Sequence, residues 1–120
     1  MKRRIVCGLM LGMLLSIGTT VGAMTIWDGN LTTENPMFSA PRAYSWLCAG
    51  EATNVDLTVY AEKSGYSSKS LSQHWDSGSI FETDWLVGPT YSASGTKFST
   101  TQRGYDCTGK WRDTYAVATY

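Results

Sequence analysis

The chain has 120 residues, 42% of them apolar, and its ten basic residues balance its ten acidic ones. That length suits one domain and not two. Three of the basic residues are Lys2, Arg3 and Arg4, so residues 24–120 keep 7 Lys+Arg against 10 Asp+Glu, a net of −3. Nucleic acid and anionic lipid call for a basic patch, and this balance excludes both as expected partners.

Behind the basic triplet no charged residue occurs from Ile5 to Val21, and Leu9 to Leu15 is almost continuously apolar. Val21 and Ala23 then put small residues three and one before a cut after Ala23. A positive start, an apolar run and a small-residue cleavage site make a secretory signal of residues 1–23. A spanning helix wants about 20 apolar residues, whereas Gly8, Gly12, Ser16, Gly18, Thr19, Thr20 and Gly22 interrupt this run. Cys7 lies too early to be a lipoprotein cysteine. No second apolar run follows, so no transmembrane segment is expected after cleavage. The mature chain is expected to be secreted or held in the cell envelope, and the short Lys/Arg-led leader reads as bacterial. Asn30-Leu31-Thr32 fits the N-glycosylation pattern, which matters only on a eukaryotic route.

Residues 24–41 read as an extended N-terminal arm, with one edge strand at Thr25-Ile26-Trp27. Asp28-Gly29 is a turn dipeptide there, and Asn35-Pro36 and Ala40-Pro41 break regular structure. A single domain then occupies 42–120. Arg42 to Ala49 is a strand that Gly50 should stop. From Val55 to Glu62, Val55, Leu57, Val59 and Ala61 alternate with polar neighbours, the mark of a strand with one buried face. Tyr66 to Trp75 is a further strand, Asp76-Ser77-Gly78-Ser79 a turn, and Ile80 to Val87 a strand ended by Gly88-Pro89. Thr96 to Gln102, Gly104 to Thr108 and Trp111 to Tyr120 complete the set, the last two joined by a hairpin at Thr108-Gly109-Lys110. Ser and Thr supply 25 residues of the mature part, which also holds all fifteen aromatics. With so many β-formers and no 3.6-residue apolar repeat, the expected fold is all-β. Turns every 8–12 residues suggest a small antiparallel β-sandwich or barrel of about seven strands.

Cys48 and Cys107 are the two mature cysteines. In an exported protein an even pair usually closes a disulfide. Closing a loop of about 60 residues would stabilise the fold by roughly 4 kcal/mol. Their spacing of 59 residues, with Tyr105 two before Cys107, resembles the tyrosine corner of immunoglobulin-like domains. Thr101 stands where antibody-type domains carry Asp, and no Trp follows Cys48 by a dozen residues. The likeness is therefore one of architecture. Small exported bacteriocins share the Gly- and aromatic-rich composition, and composition alone.

Little here points to chemistry. The one histidine, His74, has no nucleophile elbow or base–nucleophile signature around it and reads as a solvated strand residue. One His and two bonded cysteines leave only carboxylates for a metal, with no calcium-loop spacing, so no metal or other cofactor is expected. Glu82 and Asp84, at i and i+2, would stand roughly 6–7 Å apart on one strand face, near the separation of retaining glycosidases. Alternating acids on a wet face are ordinary, and no catalytic residue is assigned. Five tryptophans remain, more than a core of this size needs. Trp75, Trp85 and Trp111 lie near turns and are the candidate ligand-binding aromatics, since exposed Trp anchors interfaces and stacks on sugars. The expected function is a small secreted or envelope-associated, non-enzymatic binding protein for an extracellular protein or glycan. The alternative is a secreted antimicrobial or toxin-like effector.

Overall fold

The computed structural model of the protein describes residues 26–120; the leader and its cleavage site lie outside them. Six strands follow in chain order: β1 (Trp27–Glu34), β2 (Arg42–Glu62), β3 (Lys69–Glu82), β4 (Leu86–Val87), β5 (Lys97–Tyr105) and β6 (Trp111–Thr119). Every pairing is antiparallel. One path runs β1-β2-β5-β6, with β3 and β4 also paired to β2. No helix occurs among the described residues, and so none long and apolar enough to cross a membrane. The all-β expectation holds.

β2 organises the molecule. Gly50 does not stop it; the strand runs 21 residues because neighbouring strands supply hydrogen bonds on both sides of the glycine. Register shifts fall between Cys48 and Ala52 against β3, and between Thr53 and Asp56 against β5. Inside the second, Asn54 takes φ of 49°, a left-handed conformation that Asn tolerates better than most residues. Bulges bend and twist a strand. Here they let the first half of β2 pair with β1 and β4, and the second half with β5, while β3 follows both.

Three local expectations give way to this pairing. Asp28-Gly29 is not a turn but part of β1, matched residue by residue from Trp27–Ala49 to Glu34–Arg42. Asp76 to Ser79 is not a turn either; β3 passes through it, with Gly78 opposite Ala52 at the bulge. A Cβ at Gly78 would lie 3.0 Å from the Phe81 ring, so the ring packs over bare backbone. Ile80 to Val87 is broken after Glu82. There Ser45 N donates to Thr83 Oγ1 (3.0 Å) and Thr83 N to the Ser45 carbonyl (2.9 Å), which turns the chain into β4.

The alternating residues of β2 fill the inner face in two clusters. One holds Leu47, Ala49, Ala52, Val55, Leu57 and Phe81, flanked by Trp27 and Trp75. The other holds Ala43, Val59, Ala61, Leu86 and Phe98, flanked by Leu31 and Leu71. Ala43 and Ala61 come from opposite ends of β2, so the sheet curls over its own apolar face as a half-barrel.

A polar seam lies within this curl. Ser45, Thr100 and Gln102 are buried. Gln102 Nε2 donates to the Trp46 carbonyl (2.8 Å) and lies 3.1 Å from Ser45 Oγ and 3.2 Å from the Asn30 carbonyl. Thr114 Oγ1 donates to Gln102 Oε1 (3.1 Å) and accepts from Trp27 Nε1 (3.1 Å). Thr100 Oγ1 sits 2.7 Å from Ser45 Oγ and 2.8 Å from the Thr58 carbonyl. Buried polar groups need such partners. Space for the Gln102 amide comes from Gly29, where a Cβ would lie 2.6 Å from Gln102 Cδ.

The disulfide expected between Cys48 and Cys107 is not formed. Cys48 is buried in mid-strand, opposite Asp28 on β1 and Ile80 on β3. Cys107 is a free, exposed thiol just beyond the end of β5. Where β2 meets that end, Tyr105 is opposite Thr53, five residues beyond Cys48 and about 16 Å along the strand. A disulfide needs Cα atoms within about 7 Å. Tyr105 makes no tyrosine corner: it is exposed, edge-on to Trp111 with centroids 5.0 Å apart.

Candidate binding face

β3, β2, β5 and β6 present one continuous outer face, because antiparallel partners point to the same side. Register assembles it in rows. His74, Asp56, Arg103 and Asp113 form one row across the four strands. Ser72, Thr58, Thr101 and Tyr115 form the next. Thr53, Tyr105 and Trp111 form a third at the bulged end. Period-two alternation in β5 and β6 thus sends Phe98, Thr100 and Gln102 inward and Arg103, Tyr105, Trp111, Asp113, Tyr115 and Val117 outward.

The charged row is paired along its length. His74 Nδ1 lies 2.9 Å from Asp56 Oδ1 and Nε2 lies 3.2 Å from Asp76 Oδ1. The hydrogen bonds to Asp56 first, and then to Asp76, hold the imidazole above its ordinary value of 6.5. Arg103 Nε donates to Asp113 Oδ1 at 3.2 Å. Thr58 and Ser72 hydroxyls lie 2.9 Å apart in the neighbouring row.

At the hairpin end Asp106 fixes the turn that joins β5 to β6. Its side chain is fully covered. Oδ1 accepts from Thr108 N (2.8 Å), Thr108 Oγ1 (2.6 Å) and Lys110 N (3.1 Å), and Oδ2 from Arg112 Nε (2.8 Å). The Thr108 hydroxyl and the Arg112 guanidinium, with the two backbone amides, hold this carboxyl far below the usual carboxylate range. An Asp that accepts from the amide two residues on is a local turn former, and here it presets the spacing of Tyr105 and Trp111.

The three candidate tryptophans do not come together. Trp75 is half-buried on the inner side, edge-on to Phe81 at 5.4 Å. Trp85 is half-buried beside Tyr44 at 4.7 Å, with the Arg42 guanidinium 4.3 Å from its ring centroid. Trp111 alone is broadly exposed, at 48%, and its companions are Tyr105 at 40%, Tyr115 at 62% and Val117 at 46%. On β6 the exposed Tyr115 and Val117 alternate with half-buried Thr114, Ala116 and Ala118, which puts the aromatic side outward. Met37 and Phe38, each 83% exposed at the tip of the β1–β2 hairpin, fell inside the stretch read as an arm. Their position directly after Asn35-Pro36 was the available signal.

The arrangement limits the chemistry. Both His74 nitrogens face carboxylates, so neither is turned to a hydroxyl nucleophile. Those carboxylates lie on opposite nitrogens and cannot share one ion with the ring. Among the described residues no group of three His, Cys, Asp or Glu is placed to hold a metal. Glu82 closes β3 opposite Trp46, whereas exposed Asp84 lies beyond it, with its amide donating to Gln73 Oε1 at 2.9 Å. The two acids therefore do not share one strand. No protein-family model matches the chain, and no curated protein matches its sequence.

Proposed function

We propose that this is a small exported binding protein, not an enzyme, secreted or held in the cell envelope, that engages its ligand through the outer face of β5 and β6. The observation that carries the reading is the exposed set of Tyr105, Trp111 and Tyr115, with Val117 beside them, on a hairpin whose turn is pinned by Asp106. Exposed Trp and Tyr gathered on one face of a small domain favour an interaction site, because they supply large contact area with few rotors to freeze. Export rests on the basic, apolar, small-residue order of residues 1–23. For the scaffold we favour an open barrel over a two-sheet sandwich, because Trp27 Nε1 reaches Thr114 Oγ1 across the gap between β1 and β6, the ends of the strand path.

Two measurements test the reading. N-terminal sequencing of the exported protein should begin at Met24; an intact Met1 removes the export half. Retention of the exported protein on cell-envelope preparations should fall at least about tenfold for Trp111→Ala with Tyr115→Ser, the size expected of aromatic anchors. Unchanged retention with an unchanged melting temperature would remove the binding half.

A further inference from the structure

We infer that the ligand of this face is a neutral, linear glycan, a step that rests on the binding role proposed above. Trp111 and Tyr115 stand on the same side of β6 four residues apart, about 14 Å along the strand. That span suits a run of several linked sugar rings and exceeds a single one. Between the two rings lies Asp113, with Arg103 directly across the ladder, Nε to Oδ1 3.2 Å. Each of these two side chains is about half exposed. The order along the strip is therefore ring, donor–acceptor pair, ring.

That order matches sugars in two respects. A pyranose offers an apolar C–H face to an aromatic ring and a rim of hydroxyls, each both donor and acceptor. Arg103 brings N–H donors and Asp113 brings carboxylate acceptors to the same place, and together they carry no net charge. Thr101, opposite Tyr115, and the Thr58–Ser72 pair continue a hydroxyl-bearing row toward β2 and β3.

Other occupants fit less well. An anionic polymer would meet one guanidinium already paired to Asp113, with Asp56 and Asp76 in or beside the same row. A protein interface places its apolar anchors at the centre and its charges at the rim; here the ion pair occupies the centre and the rings flank it.

Isothermal titration of the exported protein with cellohexaose, chitohexaose and hexagalacturonate tests the inference. At least one neutral hexasaccharide should bind with Kd below about 1 mM, and hexagalacturonate at least about tenfold more weakly. The corresponding neutral disaccharide should also lose about tenfold, because it cannot reach both rings. Trp111→Ala and Tyr115→Ala should each weaken hexasaccharide binding about tenfold, and Asp113→Ala about threefold to tenfold, with melting temperatures unchanged. No binding of either neutral hexasaccharide at about 5 mM, or binding indifferent to Trp111→Ala, overturns the glycan. If envelope retention still needs Trp111 and Tyr115 while neither hexasaccharide binds, the face is a binding surface and the glycan inference alone fails. If wild type sediments as a dimer and Trp111→Ala as a monomer, the occupant is a second copy, and the inference also fails.

Discussion

β5 has two sides, and the same kinds of residue do different work on each. Inward, Thr100 and Gln102 are 0% and 2% exposed and make six hydrogen bonds to five polar groups, Ser45 Oγ being shared. Outward, Arg103 and Thr101 belong to rows whose partners also face water. A buried polar group left without its partner costs about 1–3 kcal/mol, whereas an exposed ion pair contributes about 0.2–1 kcal/mol. The inner seam therefore sets the fold, and the outer rows are free to serve recognition.

Several substitutions would break or sharpen that contrast. The largest effect is expected from Gln102→Ala, which takes one partner each from Ser45, Thr114 and two backbone carbonyls and opens a void. It should cost about 3 kcal/mol in chemical denaturation; a loss below about 1 kcal/mol would show the seam to be incidental. Gly29→Ala follows, at about 2 kcal/mol, because its methyl would occupy the space of the Gln102 amide. The double variant should be distinctly non-additive, since removing Gln102 removes the clash. Additive losses would mean the two sites do not meet.

Asp106→Ala should lower the melting temperature and raise amide exchange at Thr108 and Lys110, while leaving Tyr60 and Val59 protected. The pH dependence of this group runs toward acid. Its folded carboxyl titrates far below its unfolded value of 3.8, so its contribution is complete above that value and declines as pH falls below it. A folding free energy that does not fall between pH 5 and pH 2, once compared with Asp106→Asn, would contradict the turn. The smallest effect belongs to His74. Its folded pKa is raised above 6.5, so its stabilising charge is fully present below that pH and is lost as pH rises through the folded value. Imidazole proton shifts should give an apparent pKa above 6.5 in wild type and a lower one in Asp56→Asn. Arg103→Ala should change stability by about 0.5 kcal/mol or less. Cys107, finally, should react with a thiol reagent in the native protein at the rate of an exposed side chain.

The legible part of the fold was the part with strict alternation. Val55 to Glu62 follows period two and lies in β2 with Val55, Leu57, Val59 and Ala61 buried as expected, and Trp111 to Tyr120 falls on β6. What composition hid was pairing: Asp28-Gly29, Gly50 and Asp76 to Ser79 each carry a turn signal that an adjacent strand overrides by supplying ladder hydrogen bonds. Cys48 and Cys107 had a suitable separation along the chain, but bulges and register, which no local window contains, decide their separation in space. Of the aromatics, Trp111 was identifiable as a surface residue next to a hairpin, whereas Trp75 and Trp85 could be placed only once Phe81 and Arg42 were seen beside them. Tyr105 and Tyr115 lie only six and four residues from Trp111, and were missed as companions because the alternation alone does not say which face of β6 is wet.

The length of β2 has a kinetic and topological consequence. One unbroken segment is hydrogen-bonded to four of the other five strands, so no pair of hairpins can be excised as a self-sufficient piece. Unfolding should be a single cooperative event. Folding should be slow for a chain of this size, because closure waits on contacts as distant in sequence as Ser45 with Thr100. A protease able to cut between Ala49 and Asn54 would not trim a loop; it would sever the beam from which nearly every other strand hangs.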